Sequence, residues 1–105
     1  MGEWVEVATV GECPPGTLLE AVVGESIVVV ANVDGEFYAL DGICAHQGGP
    51  LASGDLAGCT LTCPWHGWQY DIRTGRQLLS ESICQTVYRA RESGGTIQIE
   101  IPAPS

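Results

Sequence analysis

The sequence is poor in positive charge: four basic residues stand against thirteen acids, a formal net charge of −9 over 105 residues. Nucleic acid and anionic membrane are both bound through cationic surface, so neither is an expected partner. No apolar run approaches the ~20 residues that a membrane-spanning helix needs. The start, Met1-Gly2-Glu3-Trp4, has neither the basic nor the apolar segment of a signal peptide, which places the chain in the cytoplasm by expectation. No internal repeat is present, and no G-x-G-x-x-G opens a nucleotide-binding helix. Histidine is scarce, with His46 and His66 the only two.

What is there describes a small globular domain. Apolar residues make up 45%, too many for a disordered chain, and the length suits one domain with little stability to spare. The acidity either keeps the protein soluble or matches a partner with a basic docking patch. Five cysteines, at 13, 44, 59, 63 and 84, cannot all pair. In a cytoplasmic chain they point to metal ligands or free thiols before disulfides.

The hydrophobic pattern has the two-residue period of strands. Strands are predicted at 4–8, 18–23, 26–33, 36–40, 87–92 and 96–101, with shorter pieces at 60–62 and 69–72. Asp34-Gly35 and Gly94-Gly95 are hairpin turns by composition. Between the hairpins the texture changes. Residues 41–85 are rich in glycine and hold four of the five cysteines, both histidines and two of the three tryptophans. The expected architecture is all-β: an antiparallel sandwich or barrel over residues 1–105, with a loop-rich subdomain at about 41–85 inserted in it. The insert has too little apolar mass for its own core, and a metal centre is the natural support.

The chemistry lies in two short elements, Cys44-Ala45-His46 and Cys63-Pro64-Trp65-His66. Two thiolates and two imidazoles make a ligand set for zinc or for an iron–sulfur centre. Each loop supplies one Cys and one His. That division suits a binuclear cluster, in which each iron takes one ligand from each loop, although tetrahedral zinc accepts the same four groups.

The runs Cys44-Ala-His-Gln-Gly-Gly-Pro-Leu-Ala-Ser-Gly54 and Cys63-Pro-Trp-His-Gly-Trp-Gln-Tyr-Asp-Ile-Arg-Thr-Gly75 resemble the two cluster-binding boxes of Rieske proteins. The resemblance implies one 2Fe–2S cluster, with Cys44 and Cys63 on one iron and His46 and His66 on the other, the histidine iron nearer solvent. Respiratory-chain Rieske proteins carry an extra cysteine in each box, joined as a disulfide. Gly49 and Trp65 hold those places here. Trp68 stands where high-potential members have a serine donor, while Tyr70 keeps the tyrosine place. With one donor missing, the resemblance implies a potential in the lower part of the Rieske range of roughly −150 to +300 mV. Pro64, Gly48, Gly49 and Gly67 shape the loops, and Pro50-Leu51 pack over the site.

By the same resemblance the chain is no enzyme but an electron-transfer component. It is expected to be a monomeric ferredoxin between an NAD(P)H-dependent reductase and a terminal, aromatic-ring hydroxylating oxygenase. The alternative is the small Rieske subunit of an NAD(P)H nitrite reductase, and a more distant one is a zinc-binding structural module. A complete Rieske oxygenase needs a further iron on two histidines and a carboxylate, and both histidines are already committed to the cluster.

Overall fold

The computed structural model describes residues 3–23, 26–42, 51–64, 67–78 and 87–101. All regular structure among them is strand, apart from two single-turn 3-10 helices at Val10–Glu12 and Leu51–Ser53. In chain order the strands are β1 (Glu3–Thr9), β2 (Leu18–Val23), β3 (Ser26–Val33), β4 (Glu36–Asp41), β5 (Asp55–Ala57), β6 (Thr60–Thr62), β7 (Gln69–Asp71), β8 (Val87–Tyr88), β9 (Ala90–Ser93) and β10 (Thr96–Ile101). They form three antiparallel sheets, ordered β1-β10-β9, β2-β3-β4-β8 and β5-β6-β7.

The middle sheet is covered on both faces, and β3 shows why its sequence is apolar without interruption. Val28 and Val30 face the β1-β10-β9 sheet in a core with Phe37, Ala39, Ile97, Ile99 and Cys13. Val29 and Ala31 face the other way, in a core with Leu40, Leu51, Leu61, Cys63, Tyr70 and Ile72. All of these partners except Leu40 belong to the insert. The β5-β6-β7 sheet therefore has no separate core; it shares one with the outer face of β3 and β4. Tertiary packing thus provides support that the sequence reading assigns to a metal centre.

Both predicted hairpins form. Asp34 and Gly35 have φ of 52° and 93°, and Gly94 and Gly95 have 60° and 87°, the doubly left-handed geometry of a two-residue type I′ turn. Asn32 secures the first of them. Its side chain is buried, donates to the Cys13 carbonyl at 2.8 Å and accepts the Gly35 N–H at 2.7 Å.

The single strand predicted over 87–92 is broken at Arg89. Val87 and Tyr88 pair with Leu40 and Ala39, whereas Ala90–Ser93 pair with β10. The Arg89 carbonyl accepts the Glu100 N–H at 2.8 Å as the chain passes from one sheet to the other. On the open face of the outer sheet, the Arg91 guanidinium lies 3.9 Å from the Trp4 ring centroid, tying β9 to β1 across β10.

Candidate metal centre

Of the four proposed ligands, Cys63 is described; Cys44, His46 and His66 lie outside the described residues, as do Gly48, Gly49, Pro50 and Trp65. The two loops are therefore defined by their bases. The first leaves the middle sheet at Gly42, whose N–H donates to Ile27 and whose carbonyl accepts the Leu51 N–H at 2.9 Å. This bond ties together the ends of the loop that carries Cys44 and His46. The second loop leaves β6 after Thr62, and the Cys63 N–H donates to the Trp68 carbonyl at 2.7 Å. That bond extends the β6–β7 ladder by one step and closes the loop that carries His66.

The two bases adjoin. Gly54, which follows the first loop, approaches so near the end of β6 that a Cβ built on it would stand 1.9 Å from the Thr62 carbonyl oxygen and 3.2 Å from that of Leu51. Thr62 in turn pairs with Asp55 and Gln69, the end row of the small sheet. The roots of both loops thus lie together at one end of the insert.

The surroundings of this end are apolar and buried. Cys63 is 1% exposed and packs with Leu51, Leu61 and Tyr70, while Trp68 lies half-buried against the same cluster. Leu51 sits at the foot of the first loop, fully buried in that core. Tyr70 is fully buried on β7 opposite Leu61 and bridges to Gln77. Gly67 has φ of 71° with open space around it, so its role is the conformation of the second loop.

The thiols of Cys13 and Cys59 and the carboxylates of Asp55 and Asp71 take structural places. Cys13 is buried between the two larger sheets, with its Sγ 3.6 Å from the Thr17 Oγ1. Cys59 is half-buried at the β5–β6 turn, and Cys84 lies outside the described residues. Asp55 is exposed at the start of β5. Asp71 ends β7 and closes the turn that follows: its Oδ1 accepts the Arg73 N–H at 2.9 Å and Nε–H at 3.1 Å, and its Oδ2 accepts Nη2 at 3.1 Å. The hydrogen bond from Arg73 holds the Asp71 carboxyl below its ordinary pKa, against the opposing effect of burial. The predicted turn at Thr74-Gly75 forms here, with the Gly75 N–H donating to the Asp71 carbonyl at 2.7 Å.

Charge is unevenly divided along the chain. Nine of the thirteen acids but two of the four arginines lie outside residues 41–85, leaving −7 on the flanking strands and −2 on the insert.

The sequence reading does not single out β5, the Gly54–Thr62 approach or Asn32. Asp55-Leu56-Ala57 is too short to display a period. Gly54 is one glycine among many, and its approach to Thr62 depends on the register of the β5–β6 hairpin.

A family model described as the Rieske [2Fe-2S] domain matches residues 3–87. The ferredoxin component of the alkene monooxygenase system of Xanthobacter autotrophicus is 32% identical over 98 residues, which span 92% of this chain and 80% of that one. The ferredoxin of carbazole 1,9a-dioxygenase from Nocardioides aromaticivorans has a TM-score of 0.85 at 26% identity, covering 91% of this chain and 95% of its own. A proposed NADH-dependent nitrite reductase small subunit from Mycobacterium tuberculosis has a TM-score of 0.91 at 20% identity, over 99% of each chain. At that identity the likeness concerns the fold alone. Among the described residues no helix is long and apolar enough to cross a membrane.

Proposed function

The chain belongs to the Rieske [2Fe-2S] domain family, and from that membership we propose that it is the ferredoxin of a multi-component oxygenase system. It takes single electrons from an NAD(P)H-dependent reductase and delivers them to a terminal oxygenase of the aromatic-ring hydroxylating type. The observation that carries this reading is the likeness to free-standing ferredoxins over nine-tenths of the chain.

Cys44 and Cys63 serve as the thiolate ligands of one iron, and His46 and His66 as the imidazole ligands of the other. Residues 41–85 are the cluster-binding part of a single domain spanning 1–105. The donor set fits the group: two thiolates and two neutral imidazoles balance two ferric ions and two sulfides to zero charge, which suits the apolar setting of Cys63. The bound cluster supplies one-electron transfer at a potential above that of a four-cysteine ferredoxin.

The chain's own residues position and insulate. The Gly42–Leu51 and Cys63–Trp68 hydrogen bonds fix where the two loops begin and end. Leu51, Leu61 and Tyr70 exclude water from the cysteine side. Trp68 in the place of a serine leaves the sulfurs one hydroxyl donor fewer and holds the potential in the lower part of the family's range. The carrier works as a cytoplasmic monomer, and its acidic flanking strands favour partners with basic docking faces.

The deciding experiment is low-temperature electron paramagnetic resonance after dithionite reduction, with iron and sulfide counted per chain. A signal whose average g lies below that of a four-cysteine cluster is expected; bound zinc without iron would sink the reading. Reconstitution with reductase and oxygenase, set against a nitrite reductase large subunit, identifies the acceptor.

A further inference from the structure

We propose that Gly54 is a positioning residue: its missing side chain is the joint that sets one ligand loop against the other. The inference rests on the ligand assignment above and concerns what holds those ligands in register.

The four ligands come from two loops that are separate in sequence, and each loop is closed only on itself. The Leu51 N–H ties the first loop to the Gly42 carbonyl, and the Cys63 N–H ties the second to the Trp68 carbonyl. Neither bond fixes one loop relative to the other. The backbone that does so is the segment Leu51–Gly54, which leaves the first loop and comes to rest against Thr62, the residue before Cys63. Gly54 donates its N–H to the Leu51 carbonyl at 3.0 Å and presses on the Thr62 carbonyl. A Cβ there would be 1.9 Å from the Thr62 oxygen and 3.0 Å from its carbonyl carbon. The obstacle is main chain on a paired strand, so no side-chain rotation relieves it.

Real Cβ atoms essentially never approach below 3.0 Å, so an alanine must open the joint by about 1.1 Å. Metal–ligand distances tolerate deviations of about 0.2 Å. The displacement exceeds that tolerance about fivefold, and it acts at the end of the β5–β6 pairing, where the chain coming from the first loop meets the strand that leads into the second. Nothing in the φ of Gly54 demands glycine; close approach alone does.

Two other glycines provide graded comparisons. A Cβ at Gly42, at the root of the first loop, would meet Ile27 Cγ2, the Val28 carbonyl carbon and the Val29 nitrogen at 3.1 Å, a tight contact that a shift of a few tenths of an ångström relieves. Gly58 lies in the β5–β6 turn of the same small sheet, with φ of 60° and open space around it. Alanine there strains the turn without touching either loop root.

The test compares Gly54→Ala, Gly42→Ala and Gly58→Ala with the unsubstituted holo-protein. It measures g values of the reduced cluster and the rate of iron release to a chelator, with melting of each apo-protein alongside. Gly54→Ala is expected to shift the g values and to release iron at least fivefold faster. Gly42→Ala should show a smaller shift and about twofold faster release. Gly58→Ala should lower the melting temperature of the apo-protein and leave the g values alone. Unchanged g values and release in Gly54→Ala overturn the proposal, as do changes of equal size in Gly58→Ala, which would mark a general stability effect. If Gly54→Ala does not fold, Gly42→Ala decides, and wild-type behaviour there overturns the joint. A Rieske signal missing from the unsubstituted chain overturns the ligand assignment and the joint together, whereas a normal signal with unperturbed variants overturns the joint alone.

Discussion

Leu61→Ala tests whether the ligand loops stand on a scaffold that exists without metal. Leu61 is fully buried in the middle of β6, opposite Tyr70, and shares a core with Val29, Ala31 and Leu40 of the middle sheet. Truncation to alanine removes three carbons. At about 0.8 kcal/mol for each buried methylene the transfer cost is about 2.4 kcal/mol, and the cavity left in a closed core raises it to about 3–4 kcal/mol. A domain of this size has a total stability of about 5–15 kcal/mol, so the loss is a large fraction. The assay is urea unfolding of the apo-protein followed by circular dichroism. The expected result is a lower midpoint with an unchanged slope, accompanied by weaker iron retention in the holo-protein. A loss below about 1 kcal/mol in the apo-protein would refute the reasoning. The insert would then be unpacked without its cluster, and the metal would be its organiser after all.

Three further outcomes follow from particular contacts. Asn32→Ala leaves the Cys13 carbonyl and the Gly35 N–H without their buried partner, and about 2–4 kcal/mol of stability should be lost in the same unfolding assay. Tyr70→Phe keeps the packing and removes the tyrosine hydroxyl that the resemblance to the Rieske boxes implies as a donor to the cluster. A hydrogen bond of about 0.5–1.5 kcal/mol corresponds to about 20–65 mV for one electron, and direct voltammetry should find the potential lowered by that amount; an unchanged potential removes Tyr70 as a donor. Asp71 has its pKa held below the ordinary 3.8 by Arg73. Its contribution is therefore complete above that pH and is lost as the pH falls through the depressed value. Asp71→Asn should cost about 0.5–1 kcal/mol at neutral pH and flatten the acid limb of the stability curve below pH 3.8, which a series of melting curves would show.

Much of this molecule is legible in its sequence, because some of its determinants are local. The bounds of β2, β3, β6 and β10 follow from alternation or from an apolar run. Asp34-Gly35 and Gly94-Gly95 specify their turns by tolerating positive φ. The two Cys–His elements announce metal chemistry by composition, since thiolate and imidazole are the groups that bind soft and borderline metals. Tertiary structure alone decided the rest. It divided 87–92 between two sheets at Arg89, because the change of partner depends on where β4 and β10 lie. It gave the insert a core borrowed from Val29, Ala31 and Leu40, which no count of the insert's own apolar residues can reveal. It packed Leu51, at the root of the first ligand loop, into one core with Cys63, at the root of the second, and with the outer face of β3 and β4. Periods and turn signals are properties of neighbouring residues, whereas the closeness of two loop roots is a property of how the sheets stack.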